Sequence, residues 1–111
     1  MTIIEVVKED GHVVSLDADG HTGYGEAGED IVCAAVSSII QTALLGLMQV
    51  AGIAVKYDRH DEDGRLRFVL PTLSGKDRHS ADMILDTMLL GLSDLYETYS
   101  DFIELKLTNK V

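Results

Sequence analysis

Residues 2–8 (TIIEVVK) are rich in β-branched and apolar side chains, which predicts a strand. Glu9-Asp10-Gly11 is a turn signal, and residues 12–18 (HVVSLDA) resume the strand-like pattern, so the two runs predict a hairpin. A glycine-dense stretch follows at 19–29 (DGHTGYGEAGE), with four glycines between Gly20 and Gly28. Such a segment is a poor helix or strand interior, because each glycine gives up the most backbone freedom on ordering. It predicts a loop that can approach a ligand closely or move.

Residues 30–50 (DIVCAAVSSIIQTALLGLMQV) repeat apolar positions at helical spacing. Val32, Val36, Ile39, Ala43, Leu47 and Val50 gather on one side, and Ser38, Gln41, Thr42 and Gln49 form a narrow polar stripe on the other. Leu45 falls inside that stripe, which suggests either a partner surface or a singly exposed leucine. Residues 53–58 and 65–70 predict a second hairpin around Asp61-Glu62-Asp63-Gly64, closed by Pro71. Residues 77–99 predict a second helix with Ile84, Met88, Leu92, Leu95 and Tyr99 on one face and Asp77, Asp82 and Asp86 near its start, where carboxylates favour the helix dipole. Residues 102–107 (FIELKL) alternate as a half-buried strand.

The order β-β-α-β-β-α-β predicts an α+β fold, a mostly antiparallel sheet with two helices packed on one face. The 111 residues form a single domain, 1–111, by length. Hydrophobic residues are 46% and charged residues 25%, which excludes a disordered tail or a fibrous repeat. One cysteine excludes an internal disulfide. No secretory pattern is visible at the start, and no apolar run reaches about 18 residues, so a cytoplasmic protein without a membrane span is expected. The net charge of −10 opposes direct nucleic-acid binding and suits a basic protein or peptide as partner, although by itself it can serve solubility alone.

Cys33 falls in the first turn of the predicted helix. A thiol there faces unsatisfied N–H groups and the positive end of the helix dipole, both of which favour the thiolate. It sits near the edge of the apolar arc, where solvent or substrate could reach it. His21 lies twelve residues earlier, at the mouth of the glycine loop, so the chain needs only one reversal to bring imidazole to thiol. His21 would then act as general base, or as the imidazolium partner of a thiolate, with the first-turn N–H groups, that of Cys33 included, as oxyanion donors. The same residues also have plainer readings. Cys33 can be a small core side chain, His21 a solvated or capping residue, and Asp30 an N-cap rather than a group orienting His21. Ser37 can bond back to a helix carbonyl rather than line the site.

Two motifs are set aside. Gly23-Tyr24-Gly25-Glu26-Ala27-Gly28 satisfies G-x-G-x-x-G, but residues 44–55 carry no acid and the preceding strand belongs to a hairpin, so no dinucleotide is expected. His12, His21, Cys33, His60 and His79 match no zinc spacing, so neither metal nor other cofactor is expected.

The run GHTGYGEAGEDIVCAAVSS, from Gly20 to Ser38, resembles the signature of the ribosomal-processing cysteine protease Prp family. The resemblance is specific in that segment and extends over the chain in length and element order. It implies a bacterial cytoplasmic endopeptidase that removes a short N-terminal extension from large-subunit ribosomal protein twenty-seven. It implies His21 and Cys33 as the catalytic pair and Gly20, Asp30 and Ser37 as motif residues. A homodimer is implied too, with a loop carrying Gly23, Gly25 and Gly28 able to close over the site. The competing readings are a non-catalytic ribosome-associated peptide-binding module, which gives the Cys33–His21 pair no use, and a thiol redox sensor, which with one cysteine needs an intermolecular disulfide or a small-molecule thiol cap.

Overall fold

Two left-handed residues set the first hairpin. Asp10 (φ 53°) and Gly11 (φ 81°) join β1 (Thr2–Glu9) to β2 (His12–Gly20), with Glu9 opposite His12. A two-residue turn with both φ values positive matches the right-handed twist of the strands it connects. In β1 the side chains of Thr2, Ile4 and Val6 are buried, while Ile3 and Glu5 face solvent. A register shift at Val7/Lys8 marks the bulge where the hairpin twists away from this alternation.

The computed structural model describes residues 1–20, 29–60 and 64–110. After the hairpin come α1 (Glu29–Leu45), β3 (Lys56–His60), β4 (Arg65–Val69), α2 (Gly75–Thr98) and β5 (Ile103–Lys110). α1 runs on into a π-helical turn, Gly46–Val50, closed by the Ala51 N–H donating to the Gly46 carbonyl at 2.9 Å. The strands lie in the order β3-β4-β2-β1-β5. Every pairing is antiparallel except β1 with β5, which is parallel. A parallel partner needs a crossover, and α2 supplies it, carrying the chain over the sheet from β4 to the far edge.

The helices cover one face of the sheet, as the α+β reading expects. That face presents Ile4, Val6, Leu16, Ala18, Leu66, Phe68 and Ile103. α1 adds Val32, Val36 and Ile40 to the core, the π-helical turn adds Leu47, and α2 adds Ala81, Leu85, Met88 and Leu92. The opposite face is polar. There Arg65 makes a two-pronged bond to Asp17 across β2 and β4, at 2.9 and 3.3 Å, and this hydrogen bond, with the carboxylate charge, raises the Arg65 guanidinium above its usual range.

Several boundaries differ from the sequence reading. β2 continues through Asp19 and Gly20, because the ladder to β1 pairs Thr2 with Gly20. β3 starts at Lys56, since the chain first passes Gly52 (φ 69°) and seats Ile53 and Val55 in the core. β5 extends to Lys110 along β1, but its buried side fades from Ile103 to Leu107, which is 57% exposed. In α2 the buried line runs through Leu85, whereas Ile84 and Leu95 are half-buried and Tyr99 is exposed. Residues 31–50 carry no charge and have a mean hydropathy of 2.0, so by length and composition this stretch matches a membrane span. Apolar run length misses that match because uncharged Ser, Gln and Thr interrupt the run. Here the segment is the helix that closes the core, and its exposed stripe holds Ser38, Thr42, Leu45 and Gln49.

Candidate active site

The site is built where β1, β2 and β4 end together. Gly20 closes β2 on the helix-facing side, opposite Thr2 of β1, and its N–H donates to the carbonyl of Gly64 at 3.0 Å. Thr2 is fixed in turn by its own N–H, which donates to the Phe102 carbonyl at 2.8 Å. α1 begins above this corner and brings Cys33 onto it.

A Cβ on Gly20 would stand 2.8 Å from Cys33 Sγ, 3.5 Å from Thr2 Oγ1 and 3.7 Å from the Gly64 carbonyl oxygen. No carbon approaches a sulfur that closely, so the sulfur occupies the space that a side chain at position 20 would need. Gly20 is therefore a packing requirement of the thiol, not a loop residue that supplies flexibility. Cys33 is buried, 6% exposed, where the helical wheel placed it at an accessible edge. The reason is that the end of β2 runs two residues further than expected and passes beneath the first turn of α1.

The helix begins at Glu29, so Cys33 is its fifth residue. The N–H groups without intrahelical acceptors are those of the first four residues, so they precede Cys33 and do not include it. Ser37 lies one turn along the same helix and is half-buried. Asp30 is in the first turn, and its side chain lies outside the described residues, as do His21, Gly23, Gly25 and Gly28. The structure thus brings together Gly20 and Cys33 among the expected residues.

Two residues at this corner were not singled out in the sequence. Gly64 is visible only as a turn glycine, and Thr2 only as one β-branched residue in a strand. Nothing in their spacing ties them to position 33; strand register does. The other histidines sit elsewhere. His12 Nδ1 lies 2.8 Å from Asp82 Oδ2, while Asp82 Oδ1 accepts from Arg78, at the far end of β2 from Gly20. His60 pairs with Asp58 at 3.1 Å on the polar face of β3, and His79 is exposed on α2.

Residues 1–104 match the model of the family described as cysteine protease Prp. The ribosomal processing cysteine protease Prp of Staphylococcus aureus is 32% identical over 108 residues, covering 95% of this chain and 96% of that protein. The fold superimposes on a crystal structure from Streptococcus mutans with a TM-score of 0.87, at 28% identity and over 99% of this chain and 96% of that one. It also superimposes on Prp of S. aureus carrying a covalently linked product peptide, with a TM-score of 0.82 at 27% identity, over 97% of this chain and 100% of that one. The chain belongs to the Prp cysteine protease family and is itself a cysteine protease.

Proposed function

We propose that Cys33 is the nucleophile and His21 its general base, and that the enzyme trims the N-terminal extension of large-subunit ribosomal protein twenty-seven in the cytoplasm. One observation carries the assignment of the pair. The only thiol of the chain is seated against Gly20, and Gly20 is joined by a peptide bond to His21. Consecutive Cα atoms are about 3.8 Å apart, so this contact lies one residue from His21 along the chain, which supports pairing the imidazole with the sulfur. The covalently held product peptide in the S. aureus relative supports a covalent intermediate on sulfur.

The chemistry follows from these groups. His21 accepts the thiol proton, and the Cys33 sulfur adds to the scissile carbonyl carbon, placing negative charge on the carbonyl oxygen. Free N–H groups at the start of α1 donate to that oxyanion, aided by the helix dipole. The intermediate collapses, the C–N bond breaks, and the His21 imidazolium gives its proton to the departing amine. Water, deprotonated by His21, then adds to the thioester, and the acid product leaves with the sulfur reprotonated. No metal or other cofactor enters any of these steps.

The net charge of −10 suits a cationic ribosomal protein, since opposite charges speed encounter. Dimer formation is also proposed. An apolar groove of about 620 Å3 runs between α1 and α2, lined by Ser38, Ile39, Thr42, Met83, Thr87 and Gly91. Met83 and Leu90 stand exposed beside it, and a second copy would cover them. The direct test incubates the enzyme with a synthetic peptide spanning the extension and its junction and reads the fragment masses. A single cut at the junction is expected; an intact peptide, with a general thiol-protease substrate still cleaved, would remove this substrate.

A further inference from the structure

Among the described residues, Thr2 is the one buried polar side chain in a core that is otherwise apolar. A hydroxyl in that setting is a cost, because valine has the same shape, prefers strands at least as well and carries no group to desolvate. Its place suggests why it is there. Thr2 faces Gly20 across the β1–β2 ladder, and the Cβ position of Gly20 lies 3.5 Å from Thr2 Oγ1 and 2.8 Å from Cys33 Sγ. The one buried hydroxyl and the one thiol thus border the same small space.

The backbone holds Thr2 there. Its N–H is engaged by Phe102 of the chain entering β5, and its Cα is in register with both Gly20 and Ile103. Cys33 is 6% exposed, so its sulfur has little contact with water when it carries negative charge. A hydroxyl that rotates about its C–O bond supplies a donor without adding a charge.

We propose that Thr2 is a positioning residue of the active site, whose hydroxyl supports the thiolate of Cys33 from beneath. This rests on Cys33 being the nucleophile, but its test does not. The full chain has a single cysteine, so alkylation by iodoacetamide reports on that sulfur alone. Rates are measured across pH for the native chain, Thr2→Val and Thr2→Ser, with the thermal unfolding midpoint of each. Thr2→Val should alkylate roughly tenfold more slowly near neutral pH, in line with the loss of one hydrogen bond to a charged group. Its rate curve should move to higher pH while its unfolding midpoint stays level or rises. Thr2→Ser should restore the native curve, and in peptide cleavage Thr2→Val should lower kcat more than it changes KM. A Thr2→Val curve that coincides with the native one, or a serine variant that rescues nothing, overturns the proposal. If the valine variant does not fold, Thr2→Ser against Thr2→Ala decides on the same curve. Should Cys33→Ala still cleave peptide, the nucleophile assignment falls, and the alkylation result still answers whether Thr2 acts on the sulfur.

Discussion

The sulfur of Cys33 fills the space in front of Gly20 so closely that a Cβ there would stand 2.8 Å from it. The constraint is specific to this position in the strand. Glycine at 20 is demanded by contact with a neighbouring element and not by an unusual backbone angle, unlike Gly11 and Gly52, whose φ values of 81° and 69° are left-handed.

Gly20→Ala follows directly. The added methyl must push away Cys33 Sγ or part β2 from α1, and overpacking of this kind costs about 1–3 kcal/mol. Cleavage should fall by more than the loss of stability explains, because the displaced atom is the reacting one. Peptide turnover and urea unfolding on the same preparation check both parts. Native turnover would mean that the sulfur has room to move aside.

Leu85 is fully buried on the α2 face that packs against the sheet. Leu85→Ala should destabilise the fold by about 2–5 kcal/mol, from lost burial plus the cavity left behind. The shift in urea midpoint at unchanged slope reads this out. Leu90→Ala, at 74% exposure on the same helix, should stay within about 0.5 kcal/mol if the chain is monomeric in the assay.

The groove between α1 and α2 gives a prediction about assembly. Met83→Asp places a charge on its rim, where Met83 is 62% exposed. Sedimentation equilibrium should show the native chain as a dimer and the variant as a monomer, with circular dichroism unchanged. A native monomer, or a dimer indifferent to this charge, would move the interface elsewhere.

The acidic surface should show itself in salt dependence. With a net charge of −10 against a cationic substrate, kcat/KM should fall as ionic strength rises, while a neutral peptide with the same junction changes little. Equal responses from the two peptides would separate the acidic charge from substrate capture.

Much of this fold can be read from local pattern. The alternation of Thr2, Ile4 and Val6, the Asp10-Gly11 turn and the long apolar helix after the glycines each follow from short-range rules. What local pattern does not carry is which strand lies beside which. The parallel pairing of β5 with β1 depends on where α2 delivers the chain, and no residue in 103–110 announces it. The site divides in the same way. Cys33 and His21 stand out because thiol and imidazole are rare and reactive, and the resemblance over Gly20–Ser38 ties them together. Thr2 is silent in the sequence, since its neighbour Gly20 lies eighteen positions away and only register joins them. The depth of the sulfur was also hidden, because helical periodicity describes α1 and not the strand end beneath it.

The most direct measurement is peptide turnover by Cys33→Ala in the full chain. Removing one sulfur from a residue that is 6% exposed leaves a small cavity, so the unfolding midpoint should shift only modestly. Cleavage of the extension peptide should be lost completely, and intact-mass spectra of the native enzyme quenched during turnover should contain a peptide adduct on the Cys33 fragment. Undiminished cleavage by the alanine variant, or an adduct on any other residue, would contradict the account.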